Sequence, residues 1–384
     1  MSKVTIQTIT PVHVGSGNFL RYNSDFVTWA DEEQSFIGII DPKKMLSIIG
    51  VDHLDDWVHT IERDEDTKEF MKNVGGCTNP EKYVKRIIYN NAEVRPSDTL
   101  KECLHDGMGK AYIPGSSIKG AIRTVLLSSL ANQVPNKESK VVYTDHKMKK
   151  NVSAKAVEQQ LFGSDPNSDI FRFLHIGDAY FKDCEISSRL INLNIRERED
   201  LIDAGKPQIV ESIFTEGKSI IQMKIDSVYY DWAQHHWPQN SKNILGSMPE
   251  SMSRLESLFA LINAHTTALV KDEIEYWENV QSCGYSGAAP YIDCMKEVLR
   301  RTCSCQKGKE CILRLGHASG WRFITGAWAE HLSNFETDIV PASRPKNDVY
   351  NKYDFPKSRR IEEIEEYDGN KETNVFGFIK MTLL

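Results

Sequence analysis

No stretch of this 384-residue chain approaches the roughly eighteen consecutive apolar residues that a membrane-spanning helix needs. The first residues, Met1 to Gln7, enter a strand-like alternation without a signal-peptide core, and a cytoplasmic protein is expected. The phosphate-cradling pattern Gly-x-x-x-x-Gly-Lys-[Ser/Thr] is missing, as are His-Glu-x-x-His and the calcium-loop pattern. Nothing therefore points to NTP hydrolysis or to a metal-dependent hydrolase. Cysteine pairs at the C-x2-C spacing of zinc sites are also lacking. Of eight cysteines, Cys294, Cys303, Cys305 and Cys311 cluster, and their spacing reads as reduced thiols without a ligand role. No cofactor or metal is expected. An excess of positive charge is absent too: 47 Lys and Arg against 54 Asp and Glu give a net charge of −7. That balance disfavours a free-standing nucleic-acid binder but leaves local contact with phosphate open.

What the chain does have is a set of glycine-rich turns. The central one runs from Tyr112 through Pro114-Gly115-Ser116-Ser117 to Lys119-Gly120-Ala121-Ile122-Arg123. Pro114-Gly115 breaks the chain, Ser116 or Ser117 suits a helix cap, and Ile118, Ile122, Val125, Leu126 and Leu130 recur at helical spacing. Lys119 and Arg123, four residues apart, share one face beside that stripe. Free N–H groups at a helix start beside two cations form an anion site, and phosphate is the expected anion.

Two further segments strengthen this reading. One is Pro11-Val12-His13-Val14-Gly15-Ser16-Gly17, and the other is Leu313-Arg314-Leu315-Gly316-His317-Ala318-Ser319-Gly320-Trp321. Both place small residues where another backbone can approach closely, and both carry a histidine. Small residues, cations and an aromatic ring are what tracking a single strand of nucleic acid requires.

These three motifs, in this order, resemble the RAMP superfamily of CRISPR proteins, and within it the fifth Csm subunit of type III-A effector complexes. The segments around Leu161-Phe162-Gly163, Phe173 to Asp178 and Gln208 to Thr215 are similar as well. Residues 51–110, 131–160 and 227–250 match less well. The resemblance implies an α+β fold of two ferredoxin-like (RRM-like) domains, with a boundary near residue 165 giving 1–165 and 166–384. It implies a non-catalytic crRNA-binding subunit that caps the Csm filament at the crRNA 3′ end and supports crRNA maturation and antiviral defence. The implied partners are crRNA, the neighbouring Csm backbone RAMP subunit, the small helical subunit and recruited host nucleases.

On this reading Gly115, Ser116, Ser117, Lys119, Gly120 and Arg123 face phosphates. His13, Gly15, Ser16 and Gly17 form a second wall. Arg314, Gly316, Ser319, Gly320 and Trp321 form a third, with Trp321 either stacking on a base or packing beneath its loop. The alternative is a metal-independent endoribonuclease that processes precursor crRNA, with His13 or His146 in acid–base roles. No paired base or nucleophile lies near His13 in sequence, which favours a binding role.

The remaining pattern is coarse. Strands are expected near 4–8, 26–29, 36–40, 171–181, 220–225, 311–315, 321–324 and 375–381. Helices are expected from Pro42 to Gly50, with Asp41 as cap, and over 52–73, 116–130, 253–277 and 292–301. The segment 131–160 reads as a lysine-rich insertion, 341–360 as a loop, and Trp232 to Trp237 as a packed aromatic loop.

Overall fold

The strand Ser2–Thr8 alternates Val4 and Ile6 inward, and both are fully buried. In the computed structural model it lies at the centre of a five-stranded antiparallel sheet. The strand order is Leu174–Ile176, Lys218–Ile225, Ser2–Thr8, Phe378–Leu383, Glu310–Arg314. Val4 pairs with Ile221 and Ile6 with Met381, so the apolar residues of neighbouring strands share one face. The helices Gly115–Leu130 and Leu255–Ser282 belong to this core through Ile118, Ile122, Leu258 and Phe259. The structure describes residues 1–144, 150–182, 185–197, 201–238, 244–284, 287–324, 326–343, 356–365 and 371–384.

A second, larger sheet runs in the order Gly15–Arg21, Thr99–Cys103, Ile202–Ile213, Glu185–Asn194, Val84–Asn90, Ser35–Ile40, Phe26–Ala30. Ser358–Glu365 also pairs with Glu185–Asn194 and continues to Lys371–Asn374. Most pairs are antiparallel, with parallel contacts at Ile186–Tyr89 and Ile209–Leu100. The helices Pro42–Ile49, Leu54–Glu62 and Thr67–Asn73 cover one end through Met45, Trp57 and Met71. The protein is thus a mixed α+β fold. Both sheets take strands from either side of residue 165, so a cut there does not coincide with a separation between sheets.

The chain passes between the two sheets at 9–14, 214–217 and 375–377, and these crossings lie side by side. Val12 and Ile213 exchange both backbone hydrogen bonds, at 3.0 and 2.8 Å. The Gly377 N–H donates to the Pro11 carbonyl at 2.8 Å, and the Leu315 N–H donates to the Gly377 carbonyl at 2.9 Å. The early and late glycine turns sit on this seam.

Several expected elements change. Residues 52–73 form two helices rather than one, because Asp64 adopts a left-handed φ of 56° and Asp66 caps a new start by accepting from the N–H groups of Lys68 and Glu69. The expected strand at 321–324 is instead a short 3-10 turn, Trp321–Phe323. The strand over 171–181 shrinks to Leu174–Ile176 and Ala179–Tyr180 behind another such turn. Trp232 belongs to a helix, Ser227–His236, not to a loop. Of the loop expected over 341–360, residues 344–355 lie outside the described residues, Val340–Ser343 is a short helical turn, and a strand begins at Ser358. His146 and its neighbour Asp145 lie outside the described residues.

Candidate nucleic-acid interface

The early and late turns meet directly. The His317 N–H donates to the His13 carbonyl at 2.9 Å. Gly316 has a φ of 81°, and a Cβ there would lie 2.5 Å from the His13 carbonyl oxygen, so only glycine permits this approach. Beside them the strand Gly15–Arg21 bulges: Gly15 pairs with Cys103 and Phe19 with Lys101, so four steps on one strand match two on the other. The bulge and the glycines leave an open cavity of about 360 Å³. Its walls include His13, Gly15, Phe19, Lys101, Glu102 and His317.

The polar groups around it are ordered. The His13 Nδ1–H donates to the Glu211 carbonyl at 2.6 Å. Burial, with the nearby Lys101 charge, lowers the His13 pKa to about 4. The His317 ring stands edge-on to it, 5.6 Å between centroids. Its pKa also falls to about 4, from burial and then from Lys101 and His13. The Lys101 ammonium donates to Gln208 Oε1 at 2.8 Å, and burial lowers its pKa. Glu102 accepts from Ser16 Oγ at 3.1 Å and Asn18 Nδ2 at 2.9 Å, and pairs with Arg86 at 3.2 Å. Burial opposes its ionisation, but those hydrogen bonds and the Arg86 charge outweigh it and hold the carboxyl below its usual value.

The central turn lies one backbone link away. The Leu104 N–H donates to the Val14 carbonyl at 2.8 Å, and Tyr112 in turn donates to the Leu104 carbonyl at 3.2 Å. Val12, Ile113, Ile118 and Leu315 share one core, so all three turns ring the same apolar cluster. The central turn does not line the cavity, however. Pro114, not a serine, stands at the cap position, and the helix begins at Gly115. The Gly115 N–H donates to Asp178 Oδ1 at 2.8 Å, which places a carboxylate of the protein at the helix start.

The sequence sets Lys119 and Arg123 facing phosphate; in the structure both are partly exposed and already engaged by groups of the protein. Arg123 donates to Glu158 at 2.8 Å and Asp169 at 2.7 Å, with its guanidinium over the rings of Phe162 and Phe171. Lys119 is half-buried and donates to the Phe171 carbonyl at 3.3 Å. Ser116 and Gly120 are exposed, and Ser117 is partly so. In the late turn, Arg314 is buried, donates to the Phe376 and Ala318 carbonyls, and lies against Phe323 and Phe378. Ser319 is buried with its hydroxyl on the Gly316 carbonyl at 2.6 Å. Gly320 lies over the Arg359 side chain. Trp321 is half-buried beneath the loop, 6.2 Å from the Phe335 ring and packed against the core.

Asn18, Phe19, Lys101, Glu102 and Gln208 were missed. Lys101 and Glu102 come from the strand Thr99–Cys103, inside a region whose pattern carried no signal. Gln208 lies in a stretch already singled out by resemblance, which was the one signal the sequence carried for it. Among the described residues no helix is long and apolar enough to cross a membrane, and no three His, Cys, Asp or Glu side chains are grouped to hold a metal. Three members of the cysteine cluster are tied up locally or buried: Cys294 donates to the Thr373 carbonyl, Cys305 to that of Arg301, and Cys311 lies in the core.

A family model for the RAMP superfamily matches residues 5–362. The chain belongs to that superfamily. Two curated relatives carry the name CRISPR system Cms protein Csm5. The one from Methanocaldococcus jannaschii is 28% identical over 185 residues, and the one from Enterococcus italicus 27% over 150 residues. The matched parts are 46% and 32% of this chain, and span 42% of the length of each relative. Over all or nearly all of its length this RAMP protein also resembles two solved structures. One is a chain of a Csm–crRNA–target RNA ternary complex of a type III-A CRISPR–Cas system, with a TM-score of 0.67 at 17% identity and full coverage of both chains. The other is Csm5 of T. onnurineus, with a TM-score of 0.63 at 16% identity, covering 98% of this chain and 99% of the other. These likenesses are likenesses of fold.

Proposed function

We propose that this RAMP protein is a non-catalytic RNA-binding subunit of a type III-A Csm complex in the cytoplasm. It caps the filament at the crRNA 3′ end and supports crRNA maturation and antiviral defence. Its neighbours are the backbone RAMP subunit and the small helical subunit, with host nucleases recruited to the same end. In this reading residues 1–165 and 166–384 are two diverged ferredoxin-like halves that contribute strands to both sheets, and the early and late glycine turns grip the RNA at the seam between the sheets. The observation that carries the proposal is the seating of the late turn on the early one beside Lys101, which gives a backbone-lined cavity with a cation at its edge. Phosphate contacts of this kind hold a strand without reading it.

The histidines support binding over cleavage. A general base works best with a pKa near the ambient pH, whereas burial holds His13 and His317 near 4. The test measures fluorescence anisotropy of labelled crRNA with the full chain across a salt series, together with a cleavage assay on precursor crRNA in chelator. Binding that weakens with salt, without product, is expected. A product that disappears in His13→Ala would overturn the non-catalytic reading, and no binding at any salt would overturn the RNA-binding one.

A further inference from the structure

The bulged strand leaves one large apolar side chain in the open. Phe19 is 60% exposed at the cavity edge, although Leu20, its neighbour in sequence, packs inward. Lys101 pairs with Phe19 across the strands and holds its ammonium 5.7 Å from the ring centroid. A flat ring beside a cation and a small cavity is the arrangement on which an unpaired base stacks.

The hydrogen-bonding character of the walls follows from their fixed partners. Gln208 Oε1 lies 2.8 Å from the Lys101 ammonium and 2.9 Å from His317 Nε2. An ammonium only donates, so the shared Gln208 atom is an acceptor and His317 Nε2 carries the hydrogen. That leaves His317 Nδ1 with a lone pair. His13 donates through Nδ1 to the Glu211 carbonyl, so its lone pair is on Nε2, beside Gly15. Both imidazoles are neutral in the near-neutral range, and Glu102 is ionised and accepts only. Asn18, the one side-chain amide among the lining residues, already spends a donor on Glu102. The walls are therefore rich in acceptors, with Lys101 as their cation.

We propose that this cavity takes one unstacked nucleobase of the bound RNA, laid on the Phe19 ring, and selects a base that carries an exocyclic amino group. The inference rests on the RNA-binding reading above and adds base selection to it. Adenine, cytosine and guanine offer amino hydrogens to the lone pairs of His13, His317 and Glu102. Uracil brings O4, a further acceptor, to the same wall, and acceptor facing acceptor is rejected strongly in partly enclosed sites. A cavity of about 360 Å³ suits one base and not a duplex.

The test compares fluorescently labelled oligocytidine and oligouridine of equal length, which differ in the base alone, with the full chain at several salt concentrations. Oligocytidine is expected to bind about tenfold tighter than oligouridine. Phe19→Ala is expected to weaken oligocytidine binding about tenfold while the salt slope stays unchanged, because stacking and not phosphate contact is lost. Phe19→Tyr should restore the affinity. Phe19 is exposed, so loss of fold does not confound the comparison. Equal binding of the two RNAs, or a preference for oligouridine, overturns the proposal while leaving RNA binding intact. An unaltered affinity in Phe19→Ala overturns it as well. Failure to bind either RNA overturns both this inference and the reading beneath it.

Discussion

The amide of His317 donates to the carbonyl oxygen of His13, and that bond fixes the late glycine turn on the early one. The contact requires that residue 316 have no side chain. Gly316→Ala would place a methyl group 2.5 Å from that carbonyl, on a residue with φ of 81°. A non-glycine residue in this region alone costs about 1–3 kcal/mol, and the clash adds to it. We expect a clear drop in the urea midpoint of Gly316→Ala, with RNA affinity falling further than stability predicts. A variant as stable as the parent would show that the two turns separate freely.

Lys101 and Arg123 are predicted to behave in opposite ways. Arg123 is held by Glu158, Asp169 and two rings, so Arg123→Ala leaves two carboxylates without their cation. These groups are partly exposed, and a loss of about 1–3 kcal/mol is expected, discounted from the fully buried case. Its salt slope for RNA should not change well below the unfolding temperature. Lys101→Ala should leave stability nearly intact and flatten the salt slope by about one unit. If Arg123→Ala instead flattens the slope, the central helix start is the phosphate site after all.

The contrast between these two cations shows where local pattern stops informing. The helix Pro42–Ile49 was legible because its determinants are neighbours: Asp41 accepts from the Lys43 and Lys44 N–H groups, and Gly50 ends it. The apolar stripe of Leu255–Ser282 was legible for the same reason. Lys119 and Arg123 were placed correctly on one helix face. What they touch depends on Phe171 and Asp169, which arrive through tertiary packing. Lys101 and Gln208 meet only because the strand Thr99–Cys103 lies parallel to Ile202–Ile213. The break in 52–73 was hidden because the left-handed residue is Asp64 and not a glycine. Local spacing identified the early and late turns, and long-range pairing decided which cation stands beside them.

A second buried centre makes stability depend on acid. Glu273, fully buried in the helix Leu255–Ser282, accepts from Arg359 at 2.8 Å, Arg322 at 3.0 Å and the Tyr291 hydroxyl at 2.7 Å. Burial alone would raise its pKa, but the two guanidinium charges and their hydrogen bonds bring it down from 4.5 to about 2. A depressed carboxyl contributes its full stability above its unfolded value and loses it as pH falls through the folded one. Stability should therefore decline between about pH 4.5 and pH 2, as read by urea midpoints. Glu273→Gln should remove this dependence and lower stability at pH 7 by about 3–5 kcal/mol, because Arg359 then lies buried without its counter-charge.

Glu362 works in the reverse direction. It sits in the strand Ser358–Glu365, is 3% exposed, and has one oxygen without a partner. Burial, only partly offset by hydrogen bonds from Ser188 and Asn374, raises its pKa from 4.5 to about 7. The folded protein then holds a proton that the unfolded chain releases, so stability falls as pH rises through this range. Glu362→Gln keeps an acceptor and removes the charge. It should stabilise the protein above pH 7 by about 1–3 kcal/mol and have little effect near pH 4, where the parent is already protonated. Urea midpoints of parent and variant measured across that range should converge at the acid end. A gap of constant size at every pH would mean that the carboxyl does not titrate differently in the folded state.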